Sequence, residues 1–208
     1  MKADRTAAAD WPSAERITAI QSEATDRWHR EPIDNVYNGC EGLVCQQHEY
    51  NFRLWHEEDK ARSPAASDQQ IADVKRSIDK LNQARNDAIE QLDDAIAESL
   101  VRRGIRATDK PINSETAGSI IDRLSILSLR LFHYGEQQNR READQAIREL
   151  AADRIEICRR QHRDLTGALD QLLDDLLAGR KQHKLYRQLK MYNDPRLNPA
   201  IYQAREKQ

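Results

Sequence analysis

A chain of 208 residues with 38% hydrophobic and 33% charged side chains can bury one core but must expose much charge. Its net charge of −2 gives no general pull toward nucleic acid or an anionic membrane, so nucleic-acid binding is not expected. No stretch approaches the roughly 18 apolar residues of a membrane span.

The first residues, MKADRTAAADWPSAER, lack the apolar centre of a signal peptide, and Cys40, Cys45 and Cys158 are an odd set that reads as reduced thiols. A cytoplasmic protein is the expectation. Gly and Pro are few, Arg, Glu, Asp, Gln, Ala and Leu dominate, and alternating β-branched runs are absent. Those features predict an all-α chain of long helices, with no strands.

Ser13 can cap a first helix over roughly 13–30, with Ile17, Ile20, Ala24 and Trp28 at helical spacing. Pro32, Asn38 and Gly39 mark a turn, and a second helix runs from about Glu41 to Arg62, stopped by Ser63-Pro64. Ser67 or Asp68 starts a third helix reaching Arg103, with Ile71, Val74, Ile78, Leu81, Ala88, Leu92 and Ile96 on its apolar side. After Gly104 and the ATDKP loop, Asn113-Ser114 is expected to cap a fourth helix. Ile120, Ile121, Leu124, Leu127, Leu129 and Phe132 make it apolar almost all round, which places it at the centre of a bundle.

Gly135 is expected to break or bend the chain before a fifth helix that ends at Gly179. Its outer face suggests the pairs Glu136–Arg140, Asp144–Arg148 and Glu156–Arg160. The reading is a mostly antiparallel bundle of about five long helices in one domain over residues 1–208. Residues 1–12 are expected to be flexible and 180–208 to form a basic C-terminal extension. The wide apolar faces also suggest a homodimer.

The second helix contains HEYNFRLWHEEDKAR. At about 100° per residue, His48, Asn51, Trp55, Glu58, Asp59 and Arg62 share one arc of about 100°. Arg85 lies amid the hydrophobes of the third helix, flanked by Asn82 and Asn86, and the fourth helix carries Asp122 and His133 on one side with Arg123 and Arg130 nearby. Burying such groups is unfavourable unless they pair, and Arg85 in particular needs a carboxylate from Glu58, Asp59 or Asp122.

Helices two, three and four are therefore expected to face one another across a polar patch of His48, Asn51, Trp55, Glu58, Asp59, Asn82, Arg85, Asn86, Asp122 and Arg123. Three uses of that patch compete. It can be a self-satisfied network that fixes helix register. It can be a pocket for a small anionic ligand, with Arg85 and Arg123 on the anion, Asn82 and Asn86 on polar edges and Trp55 against a ring. Or it can be a metal-dependent hydrolytic centre acting on a nucleotide or sugar phosphate, with Glu58, Asp59 and Asp122 on the ion and His48 as base. A binding or structural module is preferred, with no metal or cofactor assigned.

Weaker signals lie elsewhere. Cys40-x4-Cys45-x2-His48 has the look of half a zinc site without a second half. NSETAGS offers helix N-terminal N–H groups to an anion, although capping explains the same letters. KLYRQLKMYNDPRLNP interleaves Lys184, Arg187 and Lys190 with Tyr186 and Tyr192, and either packs on the bundle or reaches an acidic partner.

HEYNFRLWHEEDKAR, DKLNQARNDAIEQLD, NSETAGSIIDRLSILSLRLFH and YRQLKMYNDPRLNP, in that order, resemble the bacterial domain of unknown function 4254 family, from about Trp28 to Pro199. The resemblance implies an all-helical bacterial protein and supplies no reaction or substrate. All-helical nucleoside-triphosphate pyrophosphatases are a more distant comparison, since they set Glu-x-x-Glu and Glu-x-x-Asp pairs on facing helices to hold magnesium. Glu90-x-x-Asp93 fits the second pattern, but the second helix has no Glu-x-x-Glu.

Overall fold

The computed structural model describes residues 11–187, 189, 191, 194–199 and 203. The expectations for residues 1–10, and for Lys190 and Tyr192, lie outside the described residues. Five long helices follow in chain order among the described residues: α1 (Ala14–Trp28), α2 (Gly39–Ala61), α3 (Asp68–Arg102), α4 (Ala117–Asn139) and α5 (Gln145–Leu177). The described residues contain no strand; one isolated bridge joins Ile112 to Gln182.

Local chemistry sets the helix starts. Ser13 Oγ accepts from Arg16 N–H at 3.2 Å, and Ser67 makes a reciprocal capping box with Gln70. The fourth helix starts later than Asn113-Ser114 suggests. Thr116 is its cap, accepting from Ser119 N–H at 3.2 Å, while the Asn113 amide is turned back onto Glu115 O at 3.0 Å.

Gly135 does not interrupt α4, which runs on to Asn139. A glycine weakens a helix by only about 1 kcal/mol and does not stop one whose flanking turns pack. The break falls at extended Arg140, four residues before the α5 cap Asp144, and Arg148 Nη1 closes that turn by donating to Ala143 O at 2.7 Å. Arg148 is therefore not the partner of Asp144. Glu136 binds His133 and Glu156 binds Arg159, so the predicted four-residue ladder on α5 gives way to three-residue contacts.

Helix α4 packs against all four others, most extensively α5, while α2 and α3 form the second close pair. Ile121, Leu124 and Leu129 of α4 are fully buried against Ile17 and Ile20 of α1, Val44 of α2, Leu92 of α3 and Leu169 and Leu176 of α5. The near-continuous apolar sequence of α4 follows from this central position. It is also why Asp122, Ser125 and Ser128, carried on the same helix, are buried.

Candidate functional site

The polar stripe of α2 is one line that runs from the core to an open cleft. At the buried end, His48 is enclosed completely and stacks on Trp28, with ring centroids 5.4 Å apart. Thr25 Oγ1 donates to the Gln21 carbonyl at 2.8 Å, so toward His48 it can only accept. His48 Nε2, 2.9 Å away, must therefore carry the proton, and Nδ1 is left to accept from the Ser125 hydroxyl at 2.7 Å. Asn51 Nδ2 donates to the same hydroxyl at 2.9 Å. The four groups form a chain with a single direction, Asn51 to Ser125 to His48 to Thr25 to the α1 backbone. Burial lowers the His48 pKa to about 3, so the ring is neutral.

Asp122 is the second node and is nearly as buried. Its Oδ1 accepts from Gln47 Nε2 at 2.7 Å, Asn51 Nδ2 at 2.9 Å and Arg85 Nε at 2.7 Å, and its Oδ2 accepts from Arg85 Nη2. The guanidinium fork thus grips the carboxylate in two places. Asp122 raises the Arg85 pKa above its ordinary value, against the opposing effect of burial. Of the three carboxylates expected for Arg85, Asp122 is the one that binds it; Glu58 pairs with Arg62 at 2.9 Å.

Beyond Arg85 the stripe opens into a cleft of about 470 Å³ lined by Asn51, Leu54, Trp55, Glu58, Asp59, Arg62, Asn82, Arg85, Ile126, Leu129 and Arg130. Its volume falls within the range of about 300–1,000 Å³ usual for small-molecule sites. Six of the ten sequence-predicted residues line it: Asn51, Trp55, Glu58, Asp59, Asn82 and Arg85. His48 and Asp122 stand behind the wall as supports. Asn86 does not line it, and Arg123 faces another side, where it pairs with Glu115 at 2.6 Å. Arg123 therefore leaves the proposed anion contact. One helical step separates it from Asp122, and that step of 100° carries it from the buried face to the exposed one.

The hydrolytic arrangement does not fit these contacts. Both His48 nitrogens are engaged in the core, so it cannot act as base on anything in the cleft. Asp122 is taken by Arg85 and two amides, and Glu58 by Arg62. The pyrophosphatase-like pair is used up as well. Glu90 binds Arg187 at 3.0 Å, and the Asp93 carboxylate accepts from Gly118 N–H at 2.8 Å. The same contact fills the α4 N-terminus with an internal anion, so NSETAGS serves capping. Burial raises the Asp93 pKa, against the hydrogen bonds from Thr116 and Gly118.

Arg187 also reaches Asp94 at 2.7 Å, which lays this part of the basic extension along α3. Cys45 is fully buried with its thiol pushed up to about 12, and its neighbour in the suspected half-site, His48, is spoken for. The cysteines thus read as packing residues.

Residues 41–185 match the family model described as "Protein of unknown function (DUF4254)". The chain belongs to this family. No curated protein and no solved structure matches it. The DUF4254 match begins in the first turns of α2 and is narrower at both ends than the resemblance over Trp28 to Pro199. It holds every cleft-lining residue, together with Gln47, His48, Asp122 and Ser125; Thr25 and Gln21, which end the hydrogen-bond chain, lie outside it.

Sequence reasoning missed Gln47, Ser125 and Thr25 as partners, and Arg130 as a wall. Ser125 had a signal, being one helical turn from Asp122 on the same face. Arg130 lies seven residues past Arg123, on the same exposed side of α4, and its long side chain borders the cleft from there. Thr25 had none, because nothing in the periodicity of α1 distinguishes a buried threonine that accepts from an imidazole.

Proposed function

We propose that this DUF4254 protein is a binding module whose cleft between α2, α3 and α4 takes a small polar molecule bearing an anionic group. The observation that supports this most is the state of the polar groups on the cleft wall. Asn82 and Arg130 have no hydrogen-bond or ion-pair partner among the described residues, while their neighbour Arg85 is held rigid by Asp122. Free donors beside a fixed guanidinium form a preorganised anion contact. Trp55 supplies a flat apolar face for a ring or sugar. Glu58 and Asp59 offer acceptors to hydroxyl or amino groups on the same molecule, which favours a ligand of mixed polarity over a bare anion.

The test is a thermal-shift screen of nucleotides, sugar phosphates and small carboxylates, without added metal, against wild type, Arg130→Ala and Asn82→Ala. The reading expects at least one compound to stabilise the wild type and to lose most of that effect in both variants. A wild type indifferent to the whole panel, or a response that survives both substitutions, overturns it.

A further inference from the structure

Next to Trp55, and outside the lining of the cleft, three histidines from three helices meet. His29 caps the C-terminus of α1, His56 lies on α2 and His133 on α4. One nitrogen from each ring lies within 4.8 Å of the others. Ring centroids are 5.4 Å apart for His29–His56, 5.0 Å for His29–His133 and 5.8 Å for His56–His133, and the rings cross at 68°, 73° and 79°.

A metal–nitrogen bond of about 2.1 Å places an imidazole centroid about 3.2 Å from the ion, and a tetrahedral angle then sets centroids about 5.2 Å apart. The triad is already at that spacing. At the 4.8 Å limit, an equidistant ion sits about 2.8 Å from each nitrogen, so bond formation asks each ring for a shift of about 0.7 Å.

The hydrogen bonds fix which nitrogens are available. His29 Nδ1 lies 2.7 Å from Thr25 O, and His133 Nδ1 lies 2.8 Å from the Glu136 carboxylate. Both partners accept only, so both Nδ1 atoms carry protons, and in the uncharged form of each ring it is Nε2 that presents the lone pair. Those two Nε2 atoms are buried with no hydrogen-bond partner. Leaving such atoms unmatched is unfavourable, and native interiors do so rarely. A backbone carbonyl and a carboxylate on the far nitrogens are also the supports that metal-bound imidazoles use. Burial and the two neighbouring imidazoles lower the pKa of His56 from its ordinary value.

The rings cannot turn away easily. His29 stacks on Phe132 at 3.8 Å and His133 on Trp55 at 4.6 Å, while Phe52 meets the edges of His29 and His56.

We infer that His29, His56 and His133 form a binding site for one divalent transition-metal ion of the zinc class. The donor set is all imidazole, which suits zinc, copper, nickel or iron and not magnesium or calcium. Three protein ligands leave a fourth coordination position for a small molecule. The site is separate from the cleft, and its existence does not depend on the cleft binding anything. Trp55 is the shared wall.

The test uses the full chain, stripped with a chelator and titrated with Zn²⁺ by calorimetry and with Co²⁺ by visible absorption. One ion per chain and the d–d bands of a tetrahedral cobalt centre are expected. His56→Ala and His133→Gln should each weaken Zn²⁺ binding by about 100-fold or more, and Glu136→Gln, which alters only the support of His133, by about 10-fold. His56 and His133 are both part-exposed, so both variants should fold, and far-ultraviolet circular dichroism of each checks it. Absence of a one-to-one complex in the wild type, or Zn²⁺ affinity unchanged in His56→Ala, overturns the site.

Discussion

Removing the guanidinium of Arg85 tests whether the buried ion pair organises the α2–α3–α4 junction. In Arg85→Met the apolar stem is kept and the charge is lost, leaving Asp122, whose side chain is only 7% exposed, without its cation. Breaking a buried pair from one side costs about 3–5 kcal/mol. Here Gln47 and Asn51 still donate to Oδ1, and Arg85 itself is 25% exposed, so the loss falls at or just below the low end of that range, about 2–3 kcal/mol. Asp122→Asn should cost less, because the freed guanidinium can turn into the cleft. The double change Arg85→Met with Asp122→Leu should recover much of the single-variant loss, since no charge is then stranded. Urea unfolding followed by far-ultraviolet circular dichroism gives all three values. If Arg85→Met lies within about 0.5 kcal/mol of wild type, the usual range of a neutral surface substitution, or if the double variant is less stable than Arg85→Met alone, Asp122 is not held by Arg85 in the way described.

The His48 ring supplies a pH test. Its folded pKa of about 3 lies below its ordinary value of 6.5, so between those values the unfolded chain binds the extra proton. Stability contributed by the neutral ring is complete above pH 6.5 and is lost at about 1.4 kcal/mol per unit as pH falls toward 3. The stability gap between wild type and His48→Gln, measured by urea unfolding at pH 7 and 5, should shrink on acidification; a constant gap refutes the buried neutral imidazole. Two glycines should behave oppositely. A Cβ on Gly118 would lie 2.7 Å from Ile89 O, so Gly118→Ala should lose about 1–3 kcal/mol. A Cβ on Gly167 meets nothing within 4 Å, so Gly167→Ala should gain about 0.5–1 kcal/mol, and equal thermal shifts would contradict the packing. Arg187→Ala should release the extension from Glu90 and Asp94, speeding amide exchange over residues 182–187; unchanged exchange would mean that backbone contacts hold it alone.

How much of this was legible in the sequence follows from what periodicity encodes. Helix number, most boundaries to within a few residues and the central place of α4 could be read because burial repeats every 3.6 residues, whereas the α4–α5 break was expected at Gly135 and lies between Asn139 and Gln145. The meeting of Arg85 with Asp122 was legible too, since two charges on apolar faces must find each other. What could not be read was the phase of one helix against another. Arg123 differs from Asp122 by a single residue and yet lies on the far side. His29 is isolated in sequence and sits at a helix terminus where the wheel no longer applies, so nothing in the letters links it to His56, 27 residues on, or to His133. The first end of α4 was misplaced for a related reason. Asn, Ser and Thr can all cap, and the choice of Thr116 depends on Asp93 arriving from α3 to take Gly118 N–H.

The two polar clusters differ in a way that separates scaffold from site. Along the His48 chain the directions of donation fit one another at every step, and Asp122 is met by amides and a guanidinium on both oxygens. The network leaves Gln47 Oε1 without a partner, but it engages both His48 nitrogens and both Asp122 oxygens, so a proton or ion entering at those groups would have to break a bond already made. Its work is to fix the register of α1, α2 and α4 and to hold Arg85 still. Around His29, His56 and His133 the matching fails at two buried nitrogens, His29 Nε2 and His133 Nε2, and one nitrogen of each of the three rings lies within 4.8 Å of the others. Aromatic stacking holds these rings in place, so the mismatch cannot relax by rotation. A buried polar group that is both rigid and unmatched is where an interior can gain most from an added partner, and an imidazole lone pair can take a hydrogen-bond donor, a proton or a metal ion. A proton would satisfy one pair of nitrogens and leave the third lone pair as it was; a metal ion satisfies all three at once.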